Sequence, residues 1–283
     1  MKDVCVAAVQ MVSGERVDEN LAQAYELVRE AATGGAKLVL LPENFAHLAD
    51  GGSVSAAEPF ADAVAPPSSQ YPIQCALHSW AAEFGIWLIA GAVPLLERGD
   101  GTPVSNQRTR SASLVYDDRG MLRARYDKIH LFDVDVDDTA GRYRESASIE
   151  PGEQTEVVAT PWGQVGLSIC FDLRFPELYR QLAGNGAEIL TVPAAFTHTT
   201  GKAHWMTLLR ARAIENGCFV IAANQGGEHS AKRRTWGHSA IIDPWGEVLA
   251  EADEGEAVII ATLSAEKLTK VRRSMPLLSM RRL

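Results

Sequence analysis

Apolar residues in this chain gather into short unbroken runs, and stretches of helical period separate them. The first run, Val4 to Gln10, predicts a strand. Leu21, Ala24, Val28 and Ala31 then recur at helical spacing, and Gly34 and Gly35 stop that helix. Leu38 to Leu41 reads as a short buried strand that runs into Pro42 and Glu43. A second helix covers Ile73 to Phe84, closed by Gly85, and a buried strand follows from Ile86 to Val93. Ser111 to Tyr116 and Leu122 to Tyr126 form a hairpin around Asp117, Asp118, Arg119 and Gly120.

The second half repeats this rhythm. Val157 to Thr160 and Gln164 to Ile169 flank a Pro-Trp-Gly turn, and the second of these strands ends at Cys170. A helix over Pro176 to Ala183 is followed by Gly184 and Gly186, then by a strand from Ile189 to Val192. Ala203 to Asn216 predicts a helix and Cys218 to Ala223 a strand; a hairpin around Pro244, Trp245 and Gly246 leads to a last strand, Ala257 to Leu263. Strands alternating with helices predict an α/β layer protein with buried central strands. With no sequence repeat, low-complexity tract or Pro/Ser-rich linker, residues 1–283 read as a single domain. The least structured stretch, Asp133 to Gly152, lies between two candidate catalytic residues, and a loop of that length tends to be functional.

Composition narrows the class. Of 283 residues, 46% are hydrophobic and 22% charged, with a formal net charge of −9. An acidic chain lacks the basic stripe of a nucleic-acid binder and is repelled by anionic lipid. The N-terminal apolar run is too short and too β-branched for a secretory signal, and no stretch reaches the roughly 20 apolar residues of a membrane span. A cytoplasmic protein is expected. Cys5, Cys75, Cys170 and Cys218 lie far apart, without the paired spacing of a zinc site. Cys5, Cys75 and Cys218 read as small apolar residues of strands and a helix.

Cys170 differs, because it stands on a strand-to-helix turn at the carboxyl end of an apolar strand, where ligands bind in open α/β sheets. Such a cysteine is expected to be exposed, with backbone N–H groups near enough to lower its pKa. Locally, a buried structural cysteine fits equally well. Glu43 has the same placement, and a carboxylate beside an apolar strand is costly to bury without a partner; desolvated, it makes a general base. A helix cap or loop carboxylate is its plainer reading. Lys128 also follows a strand, where a lysine by itself is ordinarily solvated.

These residues acquire meaning together. The segments LLPENF, YDKIHLF and CFDLRFPE occur in this order, and each resembles a signature of the nitrilase superfamily of carbon–nitrogen hydrolases. The resemblance extends from AAVQM to Gly237-His238-Ser239 and Asp243-Pro244-Trp245-Gly246. It implies a four-layer α-β-β-α sandwich and maps the family's catalytic triad onto Glu43, Lys128 and Cys170. Glu43 would act as the base, Cys170 as the nucleophile, and Lys128 with the Phe171 N–H would stabilise the oxyanion. The chemistry needs no metal and no organic cofactor. Glu145 resembles an additional family carboxylate that lies near the lysine and positions the amide. The helix after Cys170 resembles the family's dimerisation surface, so a homodimer is expected.

For the substrate, RFPEL, AAFTHTTGKAHW, LLRARAIEN and AKRRTWGHS resemble the small amidases of metabolite repair. The resemblance implies a small anionic carboxamide hydrolysed to carboxylate and ammonia through a thioester. Deaminated glutathione ranks first, helped by His229, and α-ketoglutaramate, the omega-amidase substrate, second. An anionic substrate needs cations: Arg174, Lys202 and the Lys232-Arg233-Arg234 cluster are candidates, each with a solvated or salt-bridged alternative. Phe196 and Thr197 are expected to line the pocket, and His198 fits pocket or surface. Nitrile hydrolysis uses the same triad, and a silent binding scaffold is the reading outside enzymology.

Overall fold

The computed structural model describes residues 1–50, 52–61, 70–105, 107–136 and 141–282. In chain order the strands are β1 (Val4–Gln10), β2 (Leu38–Leu40), β3 (Trp87–Leu95), β4 (Arg110–Tyr116), β5 (Leu122–Asp127), β6 (Asp133–Asp135), β7 (Arg142–Arg144), β8 (Val157–Ala159), β9 (Gln164–Leu167), β10 (Ile189–Ala194), β11 (Phe219–Asn224), β12 (Ala240–Ile242), β13 (Val248–Glu251) and β14 (Ala257–Leu263). The helices are α1 (Val17–Thr33), α2 (Pro72–Phe84), α3 (Pro176–Gly184), α4 (His198–Asn216), α5 (Ala265–Ser274) and α6 (Leu277–Met280).

One six-stranded sheet has the order β14-β1-β2-β3-β4-β5 and the other β13-β12-β11-β10-β9-β8. Their centres are built alike: β1, β2 and β3 are parallel with α1 and α2 as crossovers, and β9, β10 and β11 are parallel with α3 and α4. The layering follows from the period of two along a strand. On β1, Val6 and Ala8 face the apolar layer shared with the other sheet, whereas Ala7 and Val9 join Ala24, Val28 and Ala31 of α1 and Leu77 of α2. Leu38 and Leu40 likewise face inward while Val39 and Leu41 face the helices. Both faces of the strand are covered, so it reads as a continuous apolar run, and each fully buried Val or Leu contributes about 1.5–3 kcal/mol. On the far side Leu178 and Leu182 of α3 and Trp205 and Leu209 of α4 pack on the second sheet. The result is the four-layer α-β-β-α sandwich.

The structure revises several boundaries. Helix α4 begins at His198 rather than at Ala203. His-Thr-Thr-Gly is poor helix sequence, but a Cβ at Gly201 would strike Trp236 Cβ at 2.3 Å and its ring Cγ at 2.5 Å, so packing rewards the glycine that propensity penalises. The stretch from Asp133 to Gly152 is not structureless: β6 and β7 pair as a hairpin and Glu145–Ala147 makes a 3-10 turn, while residues 137–140 lie outside the described residues. Helix α5, absent from the sequence reading, is capped by Ser264, whose hydroxyl accepts the Lys267 N–H.

Candidate active site

Parallel strands end on one side of each sheet, and the chemistry-bearing residues follow those ends. Glu43 comes three residues after β2. Its strand exit lies flat against β3, where a Cβ on Gly91 would meet the Pro42 carbonyl at 2.1 Å, so only glycine admits this path. The Glu43 backbone carbonyl accepts from Gln225 Nε2 at 3.0 Å, and Gln225 also donates to Ser13 Oγ at 2.9 Å, tying the ends of β11, β1 and β2 together.

Cys170 opens a 3-10 turn after β9 with φ of 49°, a left-handed conformation that costs a non-glycine residue roughly 1–2 kcal/mol. The buried carboxylate of Asp172 holds it there. Its Oδ2 accepts the Ile169 N–H at 2.8 Å and the Tyr126 hydroxyl at 2.7 Å, and its Oδ1 accepts the His130 N–H at 3.0 Å with His130 Nδ1 at 2.7 Å. Tyr126 and His130 flank Lys128, so one carboxylate sets the cysteine turn against the lysine segment. That segment is further fixed by Lys128 N–H to Ser111 O at 2.9 Å and Gly152 N–H to Lys128 O at 2.7 Å.

The structure brings Glu43, Lys128, Glu145 and Cys170 together. Buried Lys128 Nζ donates to Glu43 Oε1 at 2.8 Å and to both oxygens of Glu145 at 2.7 and 2.9 Å. Its three hydrogens are therefore all engaged. Glu43 Oε2 accepts the Ala195 N–H at 2.9 Å, and Glu145 Oε2 accepts the Phe132 N–H at 2.6 Å. Cys170 lines the same cavity wall as Glu43 and Lys128. Among the described residues the Phe171 N–H, in the first turn after Cys170, has no acceptor.

Burial and charge then oppose each other. Burial pushes the Glu43 carboxyl up, but the charge and hydrogen bond of Lys128 outweigh it and hold the group below the usual carboxylate range. Glu145 is raised by burial and by the neighbouring Glu43 charge, which Lys128 offsets only in part. Burial lowers Lys128, yet Glu145 and Glu43 together hold it well above the ordinary lysine value. Burial first, then Glu43, drives the Cys170 thiol well above its ordinary value. The sequence-based picture of an exposed, acidified thiol is thus corrected: Cys170 is buried and protonated beside an ionised carboxylate. A base adjoins a thiol, and an ammonium adjoins both.

These groups open onto a cavity of about 360 Å³ lined also by Phe171, Phe196, Thr197, His47, Arg142, Arg144 and Arg233. Phe196 rests on Trp205 with ring centroids 5.1 Å apart, and Thr197 Oγ1 lies 2.7 Å from Thr200 Oγ1. Arg174 is not part of this lining. Its guanidinium lies over Phe171 and Phe196, 5.7 and 5.1 Å from the centroids, and its Nη1 is 3.2 Å from His204 Nδ1. It supports the aromatic wall from behind. His198 packs edge-on against Trp236 and also lies outside the lining. Sequence reasoning missed Asp172, Gln225 and Asn224, whose Oδ1 accepts the Phe196 N–H at 3.0 Å. The available signal was positional: Asn224 and Gln225 are polar residues at the carboxyl end of an apolar strand, as Glu43 is.

A sandwich of this layering, with an acid, an ammonium and a thiol gathered at its strand ends, is the architecture of the carbon–nitrogen hydrolases. The model of that family, carbon-nitrogen hydrolase, matches residues 5–273, and the chain belongs to it. It is a hydrolase acting on carbon–nitrogen bonds other than peptide bonds. Among its relatives is a deaminated glutathione amidase from Synechocystis sp., 44% identical over 283 residues that cover 99% of both chains. An omega-amidase from Homo sapiens is 36% identical over 280 residues, covering 98% of this chain and 94% of that one. Among solved structures, Nit3 from Saccharomyces cerevisiae, described as a member of branch 10 of the nitrilase superfamily, superposes with a TM-score of 0.84 at 30% identity, covering 100% of this chain and 97% of that one.

Proposed function

We propose that the protein hydrolyses deaminated glutathione through a Cys170 thioester, with Glu43 as proton carrier and Lys128 and the Phe171 N–H as oxyanion donors. Glu43 takes the thiol proton as Cys170 Sγ attacks the amide carbonyl, and the carbonyl oxygen becomes an oxyanion. Lys128 meets it by exchanging one of its two bonds to Glu145, and such a donor is worth about 3–4 kcal/mol. Glu43 then passes its proton to the leaving nitrogen as the carbon–nitrogen bond breaks. Water attacks the thioester, Glu43 takes the water's proton, and the acid leaves as the proton returns to sulfur. Glu145 fixes the ammonium, and Phe171, Phe196 and Thr197 bound the substrate.

The observation that carries this reading is the pairing of a protonated thiol with an ionised Glu43 already bonded to Lys128. Deaminated glutathione is favoured over α-ketoglutaramate by the relatives' identities, 44% against 36%. The leaving group separates the two. α-Ketoglutaramate releases ammonia, whereas deaminated glutathione releases the amine of its cysteinylglycine part. Assaying both amines, with the intact mass of a Cys170 adduct, tests the reading; nitrile turnover without amide turnover, or no turnover of either, would replace it with the nitrilase or scaffold alternative.

The same reading includes one catalytic domain over residues 1–283, a homodimer packed through α3 and a cytoplasmic location. The family match over nearly the whole chain supports the first, and four cysteines, none of them joined in a disulfide, suit a reducing compartment. Among the described residues no helix is long and apolar enough to cross a membrane. A monomer by light scattering at micromolar concentration would remove the dimer.

A further inference from the structure

Lys232, Arg233 and Arg234 are adjacent in sequence, but the fold sends them to different places. Arg234 pairs with Glu254 at 2.7 Å and Lys232 is exposed at the surface. Arg233 is half-buried and lines the cavity. Its turn is pinned on all sides. His229 N–H donates to Arg233 O at 2.9 Å, and Arg233 N–H donates to Ser230 Oγ at 3.1 Å. His229 Nδ1 lies 2.8 Å from Ser13 O, its Nε2 lies 2.7 Å from Thr235 Oγ1, and Ser230 Oγ contacts both oxygens of Asp50 at 3.0 Å.

The other cations around the cavity are occupied. Lys128 has no free hydrogen, Arg144 pairs with Asp135 at 2.9 Å and donates to the Val134 carbonyl at 3.0 Å, and Arg142 lies outermost, 4.0 Å from Asp135. Among the described residues Arg233 has no carboxylate within ion-pair distance, although the chain carries 36 acidic residues. An unpaired guanidinium in a wall is a fork awaiting a carboxylate. The cavity also needs one there. Glu43 and Glu145 share a single ammonium, so an incoming anion meets net negative charge near the thiol. Arg233 is close enough that its own charge acts on Glu43.

We propose that Arg233 is the specificity-determining residue of this site, holding the carboxylate at the acyl end of the substrate. This rests on the amidase reading. The acyl half stays bound through the thioester while the amine departs toward solvent, so its anchor belongs on the pinned, half-buried turn rather than on the exposed rim. Deaminated glutathione and α-ketoglutaramate share this end, with the carboxylate four carbon–carbon bonds from the scissile carbonyl. Arg233 therefore selects the acyl group common to both.

The test uses the full chain with α-ketoglutaramate, deaminated glutathione and levulinamide, which carries a methyl group where α-ketoglutaramate has its carboxylate. Arg233→Gln should lower kcat/KM for both anionic amides by about 10- to 100-fold, chiefly through KM, and shrink their advantage over levulinamide by the same factor. Arg233→Lys should fall between, since it keeps the charge and loses the fork; it also carries the test if the glutamine variant fails to fold. Equal losses on anionic and neutral amides, or no change in the preference, would overturn the anchor while leaving the amidase standing. A wild type that turns over none of the three would remove the amidase reading and the anchor with it.

Discussion

The floor and the rim of the cavity are made differently. Glu43, Lys128 and Cys170 are buried and stand just beyond strands locked in register, and each is held from two directions by backbone or by Asp172 and Gln225. Arg142 and Arg144 sit on a two-stranded hairpin outside both large sheets, with ion pairs that water reaches. Floor interactions work in a low dielectric, where a misplaced charge is expensive; rim interactions are screened and individually weak. On the proposed reading the labour is divided: buried geometry fixes the chemistry, and the exposed rim contributes only weak, screened contacts to the substrate.

Substitutions should respect that division. Cys170→Ala should abolish turnover, at least about 10⁴-fold in kcat, with the adduct lost in the mass spectrum; surviving activity would put the nucleophile elsewhere. Glu43→Gln keeps shape but cannot carry the proton, and should cost about 10²–10⁴-fold in kcat. Lys128→Met leaves buried Glu43 and half-buried Glu145 facing each other without their shared ammonium and should cost about 3–5 kcal/mol in urea unfolding, besides turnover. The pH profile comes next. Glu43 is held below its unfolded value, so its contribution to stability is present above that value and lost as pH falls through the folded one. Lys128 is raised, so its contribution is full below the unfolded lysine value and lost as pH rises through the folded one. Glu145 has the opposite sign to Glu43 and destabilises as it ionises. The unfolding penalty of Lys128→Met should therefore be largest around neutrality and shrink at both extremes. The smallest effect belongs to the rim: Arg142, 72% exposed, should cost less than about 1 kcal/mol in transition-state binding when replaced by Gln. A larger loss there would blur the boundary between floor and rim.

The floor was also the legible part of the sequence. Buried strands announce themselves as apolar runs, and a Glu or Cys directly after such a run is conspicuous because burial there needs a reason. Lys128 became legible only beside the other two segments. The rim was hidden. Asp133–Asp135 and Arg142–Arg144 alternate polar residues around Val134 and Tyr143, which carries too little apolar signal to mark a hairpin. Helix α5 buries only Leu268 and Val271, so its period is faint. Three adjacent cations at 232–234 do not reveal which one turns inward, because the ion pair of Arg234 with Glu254 depends on a strand turn far along the chain. Asp172 escaped notice because its value lies in four donors gathered from separate segments.

The saturated ammonium of Lys128 also bears on inhibition. A diffusing phosphate or sulfate finds no vacant hydrogen on it and must displace a chelating glutamate across a negatively charged floor. In the proposed mechanism, an oxygen tethered to Cys170 through a forming carbon–sulfur bond arrives without that entropic handicap. Buffer anions should thus compete at the mouth of the cavity and leave its innermost donor alone, so that the ammonium answers to bond formation and ignores mere charge.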